Sequence, residues 1–179
     1  MRYITLNRDK AGSLNGFNEH MRVLAKDENI KRMREYFSHG TISTYKHCLR
    51  VAKKSYEIAE KTGIRLSTKE MLRGAMLHDY FLYDWHFKGD KLHGYNHPHI
   101  ALKNAAEDFD LTEIEKNIIE SHMWPLTLLS IPKCREAVIV CIADKLCSME
   151  ETFRMREPGQ RLLSSETIKE YIRRITVKK

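Results

Sequence analysis

In the stretch Met76-Leu77-His78-Asp79-Tyr80, a His-Asp dipeptide interrupts a run that is otherwise apolar at helical spacing. Upstream, Ser67 and Glu70 match the capping-box pattern that starts a helix, and Met71, Ala75, Met76 and Leu82 describe its buried side. Gly74 stands one turn before His78, where the lack of a Cβ lets a neighbouring helix approach at the level of the dipeptide. With nine His and eight Asp in 179 residues, chance alone supplies about 0.4 such pairs. The dipeptide gains its weight from order: His47 precedes it, and His97, His122 and Asp144 follow.

The flanking segments are helical too. Tyr45, Cys48, Ala52, Tyr56 and Ala59 recur at helical intervals over 41–62, with Gly63 as a left-handed cap, so His47 sits on a long helix. Before it, Ile30, Met33 and Phe37 predict a helix over 26–38, stopped by Gly40. Residues 1–25 carry Gly12, Gly16 and several Asn and read as an irregular lead-in with a short extended piece at Tyr3–Leu6. Downstream, the polar, aromatic stretch 84–96 reads as a loop. Pro98 suits the first position of the next helix, with His97 at its N-cap and Ala101, Ala105 and Phe109 inward.

Thr112 and Glu115 form a second capping box, and Ile114, Ile118 and His122 then share one helix face. Trp124-Pro125 ends that helix and Pro132 opens the last long one. Its run Ala137–Ala143 is apolar on all sides, which predicts a central position, and leads into Asp144. A buried carboxylate needs a partner or a cation. After Glu157-Pro158-Gly159 comes an amphipathic segment carrying Ile168, Tyr171, Ile172 and Ile175. No strand pair is evident. The expectation is an all-α, single-domain helical bundle over 26–179.

Composition narrows the class. At 42% hydrophobic content the chain can bury one core. Cys48, Cys134, Cys141 and Cys147 form no CxxC pair and read as reduced, packed thiols. The N-terminus has no apolar signal-peptide region and no apolar run is long enough to span a bilayer, so the expected location is the cytoplasm, without membrane contact. A net charge of +7 favours anionic partners. Because the basic residues are spread over several helices, nucleic acid is not favoured over a small phosphorylated compound. Oligomeric state is left open.

Four His and two Asp on separate helices are ligand types that transition metals accept. Neighbours on a helix point about 100° apart, so His78 can face one metal while Asp79, with two oxygens, reaches a second. The order His47, His78-Asp79, Asp144 resembles the HD-domain superfamily of metal-dependent phosphohydrolases, over roughly residues 41–150. Two further stretches are similar to its dinuclear branches. His97-Pro98-His99-Ile100-Ala101 resembles a His-Pro-x-x-Gly-Ala helix start, with Ala101 in place of Gly, and His122 matches the next His.

The resemblance implies a phosphodiesterase-like helical fold and two divalent transition-metal ions. Iron or manganese is favoured, and cobalt, nickel, zinc or magnesium is also accepted. It assigns His47, His78 and Asp144 to one metal, His97 and His122 to the other, and Asp79 as the bridge, with His99 the alternative to His97. His78 and Asp79 are the implied catalytic pair. Two divalent cations against two carboxylates leave about +2 of charge, enough to draw in phosphate and generate a metal-bound hydroxide that attacks phosphorus. The family's Lys after the dipeptide is replaced by Tyr80-Phe81-Leu82-Tyr83, and Lys145, Lys103 or Arg50 are the candidates to face substrate instead. Similar six-ligand sets also serve mixed-valence diiron oxygenases, and a third reading is a nucleotide- or RNA-binding module without turnover.

Overall fold

The computed structural model describes residues 10–39, 42–83 and 92–156. Among these are seven α-helices: α1 (Lys10–Leu24), α2 (Glu28–Arg32), α3 (Thr44–Thr62), α4 (Thr68–Leu77), α5 (His93–Asp108), α6 (Glu113–Ser121) and α7 (Arg135–Arg156). The all-helical expectation holds. The one sheet among the described residues is a two-stranded antiparallel ribbon, β1 (Phe37–His39) with β2 (Ile42–Ser43), which pairs Phe37 with Ser43. None of the described helices is long and apolar enough to cross a membrane.

α3 is the axis on which α4 and α7 pack, and α6 closes the layer between those two. Ser43 accepts a hydrogen bond from the Lys46 backbone N–H at its start, and Gly63 ends it with φ 64° and an N–H donated to the Ala59 carbonyl. Its inward stripe is His47, Cys48, Val51, Ala52, Ser55, Tyr56 and Ala59, all buried. α4 buries Met71, Leu72, Ala75, Met76 and Leu77 completely. At about 1.5–3 kcal/mol for each large aliphatic side chain, this packing anchors the segment that ends in His78.

Several local readings are corrected by tertiary contacts. Lys10–Leu24 is helical rather than irregular: Phe17 and Met21, one turn apart, are buried, and the Phe17 ring lies 5.6 Å from that of Tyr56. Packing outweighs the poor helix propensity of Gly12 and Gly16. Tyr3–Leu6 lies outside the described residues. The helix expected over 26–38 shrinks to α2 and one 3-10 turn, Met33–Glu35, before the chain turns extended into the ribbon. Ser67 caps α4 by position but its side chain makes no capping bond; its backbone N–H donates instead to Glu136 on α7, at 2.7 Å. A carboxylate distant in sequence thus takes the place of Glu70.

α5 begins well before Pro98, at His93, so Pro98 lies within the helix and His97 is not its N-cap. The polar stretch expected as a loop over 84–96 therefore ends by Leu92, and 84–91 lies outside the described residues. α7 starts at Arg135, three residues beyond Pro132. It is not central on all sides: Val138, Ile142, Leu146, Met149 and Phe153 are exposed while Ala137, Val140, Ala143 and Cys147 are buried. The amphipathic segment 168–175 lies outside the described residues. The four cysteines are free, as expected, and three are buried. Burial pushes the Cys147 thiol up to about 11, so it stays protonated and inert.

α4 and α6 meet at Gly74. A Cβ there would lie 2.6 Å from Ile118 Cδ1 and 3.1 Å from both Ile118 Cβ and Cγ2. The Arg73 guanidinium secures the same contact by donating to both oxygens of buried Glu115 (2.9 and 3.1 Å) and to the Asp110 carbonyl. The capping box of Thr112 and Glu115 forms as expected. Gly74→Val is therefore expected to lower stability by roughly 1–3 kcal/mol through overpacking, read as a lower urea midpoint. An unchanged midpoint would show that α4 and α6 do not depend on this approach.

Candidate metal centre

The six residues named by the sequence come from five different segments and meet in one buried cluster. His47 stands near the start of α3, His78 and Asp79 directly after α4, His97 one turn into α5, His122 at the C-cap of α6 and Asp144 in the middle of α7. All six are at most 5% exposed. One ligand atom each from His47, His78 and Asp144 lies within 4.8 Å of the others, and the same holds for Asp79, His97 and His122.

Asp79 stands between the two triads. Its Oδ1 lies 3.3 Å from His97 Nε2 and 3.5 Å from His122 Nε2. Its Oδ2 lies 3.6 Å from His78 Nε2 and 3.8 Å from His47 Nε2. Asp144 Oδ1 serves the first triad, 3.1 Å from His47 Nε2 and 3.7 Å from His78 Nε2, and accepts from Ser148 Oγ at 3.2 Å.

The tautomers follow from the second ring nitrogen. A carbonyl oxygen only accepts, so the Nδ1 atoms of His78 and His122, at 2.8 Å from the Ala75 carbonyl and 2.7 Å from the Ile119 carbonyl, must carry the proton. His47 Nδ1 likewise faces a carboxylate oxygen of Glu151 at 2.9 Å. In their neutral forms these three rings therefore aim an Nε2 lone pair inward, where carboxylate lone pairs already converge. His78 Nε2 is buried without a hydrogen bond. Acceptors facing acceptors in a dry interior call for positive charge between them. Two groups of two imidazoles and a carboxylate fit divalent transition metals in both donor type and number.

Without such ions, protons are the remaining source of positive charge, and the titration follows suit. Burial alone would lower the His47 pKa, but hydrogen bonds to Asp144 and Glu151 outweigh it and push it up to about 10. His78 is likewise raised against its burial, by the Cys48 thiol and the Asp79 carboxylate. His122 is held low by burial and by the neighbouring His78 and His97. Asp79 and Asp144 stay ionised: burial would raise them, but His78 and His97 beside the first, and His47 and His78 beside the second, pull them well below the carboxylate range.

The substrate-facing candidates separate clearly. His99 is exposed and points away from the cluster, while His97 is buried in it. Lys103 is exposed and, at 100° per residue, sits roughly 120° around α5 from His97, so it does not face the site. Arg50 is engaged with acidic residues of α7, its Nη1 donating to Glu151 at 2.8 Å and its Nη2 to Glu150 at 3.2 Å. Lys145 alone of the set is beside the cluster: its Nζ donates to the His122 carbonyl at 2.5 Å and to Asp144 Oδ2 at 3.2 Å. Tyr80 and Phe81, standing where the resemblance leads one to expect a Lys, are buried and hold the dipeptide in place. Tyr80 donates to Asp108 at 2.6 Å, and Asn104 donates to the Phe81 carbonyl at 2.7 Å.

Two residues near the cluster escaped the sequence reading. Cys48, read as a packed thiol, brings its sulfur within 4.8 Å of ligand atoms of His78 and Asp79. Its position next to His47 was the available signal. Glu151 was unnoticed because a Glu within a long helix resembles a solvated one, although it stands two turns from Asp144 on the same helix face.

A family model described as HD domain matches residues 44–149. No curated protein and no solved structure gives a significant match.

Protein freed of metal by a chelator should lose thermal stability as pH rises. The His47 pKa is raised from 6.5 to about 10, so its stabilising contribution is complete below about pH 6.5 and is lost on the way to about pH 10. Asp79 and Asp144, shifted downward, contribute unchanged over that window. The melting temperature is expected to fall between pH 7 and 9, and Mn²⁺ added at pH 8 to raise it again. A flat pH profile with no response to Mn²⁺ would contradict the charge assignment.

Proposed function

The chain belongs to the HD-domain family, and on that premise we propose that it is a metal-dependent phosphohydrolase acting on a small phosphorylated compound, with nucleotides as the leading class. The supporting observation is the division of Asp79 between two histidine pairs, one oxygen toward each. His47, His78 and Asp144 would hold one divalent cation, His97 and His122 a second, and Asp79 both. Iron or manganese suits this mixed imidazole and carboxylate set. When bound, such ions supply Lewis acidity toward a phosphoryl oxygen and lower the pKa of water toward neutrality.

The protein's own groups do the rest. The backbone carbonyls of Ala75 and Ile119 orient the His78 and His122 rings, and burial keeps competing water away from them. Lys145, with a side chain 37% exposed beside Asp144, would meet the charge of a phosphoryl group. The overall charge of +7 favours the approach of an anion.

Metal-loaded protein incubated with a panel of nucleotides and simple phosphoesters is expected to release phosphate or a phosphomonoester. Asp79→Ala should lose both metal and turnover. Lys145→Ala should keep its metal and lose about ten- to a hundredfold in kcat/KM, the worth of one charge-assisted hydrogen bond. Full metal content with no turnover of any phosphoester would refute hydrolysis, and turnover by metal-free Asp79→Ala would refute the site.

A further inference from the structure

Behind His47, on the side away from the cluster, α3 and α7 are joined by a ladder of charges. His47 Nδ1 lies 2.9 Å from Glu151 Oε2, and the other oxygen of Glu151 accepts from Arg50 Nη1 at 2.8 Å. Arg50 Nη2 reaches Glu150 at 3.2 Å, and Lys54 Nζ reaches the same carboxylate at 3.1 Å. The rungs repeat at helical spacing, with His47, Arg50 and Lys54 on one stripe of α3 and Asp144 and Glu151 two turns apart on α7. The Glu151 side chain is fully buried, whereas those of Arg50 and Lys54 are each 30% exposed.

A carboxylate sealed in the interior is costly to desolvate and is retained where its neighbours use it. Both of its oxygens have a donor here, and one of those donors is the ring nitrogen opposite the cluster. We infer that Glu151 is a positioning residue for the metal centre: it holds His47 as the Nδ1–H tautomer and aims the Nε2 lone pair at the ion shared with His78 and Asp144. Arg50 holds Glu151 in place through its hydrogen bond to the second oxygen, so the cation proposed from sequence to meet substrate works from behind a ligand. His78 and His122 get their orientation from backbone carbonyls; His47 alone of these three depends on a side chain that mutation can remove.

The inference rests on the metal reading of the site, and Zn²⁺ titration of full-length protein separates the two. Zn²⁺ is diamagnetic, so calorimetry and histidine ring nitrogen NMR can be run on the same complex. Glu151→Gln keeps an acceptor opposite Nδ1, and Glu151→Leu keeps volume without one. Should Glu151→Leu fold poorly because Arg50 is left unpaired, the double substitution Arg50→Met with Glu151→Leu removes both charges together. Loss of the acceptor is expected to weaken Zn²⁺ binding about ten- to a hundredfold at one of the two sites. The His47 Nδ1–H resonance should vanish with it, while Glu151→Gln retains the resonance and affinity within a few-fold of wild type. Equal affinity in wild type and in a folded variant lacking the acceptor, or equal losses in Gln and Leu variants, overturns the positioning role. Failure of the wild-type protein to bind Zn²⁺ overturns the metal reading itself.

Discussion

The structure turns on an electrostatic conflict at its centre. Two ionised carboxylates and the Nε2 lone pairs of His47, His78 and His122 converge in a buried volume, and apart from His97, whose Nε2 lies 2.8 Å from that of His122, none of these groups can donate there without first acquiring a proton. Such an arrangement is unfavourable for a folded chain by itself and becomes favourable when a cation occupies the gap. The surrounding helices resist collapse of the cluster because four of its six side chains are held by groups outside it. Carbonyls of Ala75 and Ile119 hold two rings, Glu151 holds a third, and Ser148 and Lys145 hold Asp144.

Helix packing brings the ligands to one point. α3 supplies the floor with His47, the close approach of α4 to α6 at Gly74 sets the separation of His78 from His122, and α7 lays Asp144 against both. Asp79 then falls between the groups because it follows His78 by one residue, a turn of about 100°. The aromatic residues after the dipeptide serve this geometry. Tyr80 and Phe81 are buried and bonded to α5, which makes the stretch after His78-Asp79 part of the core.

Much of this was legible in the chain. Apolar spacing placed α3, α4, α6 and the body of α7, and the capping box at Thr112 marked the start of α6 to the residue. Readings failed where a distant partner outweighed a local signal. Glu136 takes over the bond that Glu70 was expected to make at Ser67, the packing of Phe17 and Met21 makes a helix of a glycine-bearing segment, and α5 continues through Pro98. The apolar run of α7 does not make that helix central, because composition does not tell whether a face has a neighbour, and Val138 and Ile142 are exposed to solvent there.

By itself the sequence determined the class of the fold, the ligand types and their order along the chain, since apolar period and residue chemistry are local properties. Tertiary structure alone decided which oxygen of Asp79 faces which histidines, that His97 enters the cluster while His99 does not, and that Arg50 stands behind His47 rather than before a substrate. The reason is geometric. Sequence spacing sets the angle of a side chain about its own helix, whereas the distance between side chains of different helices depends on how closely those helices pack, and that is settled by contacts such as Gly74 against Ile118, far apart in the chain.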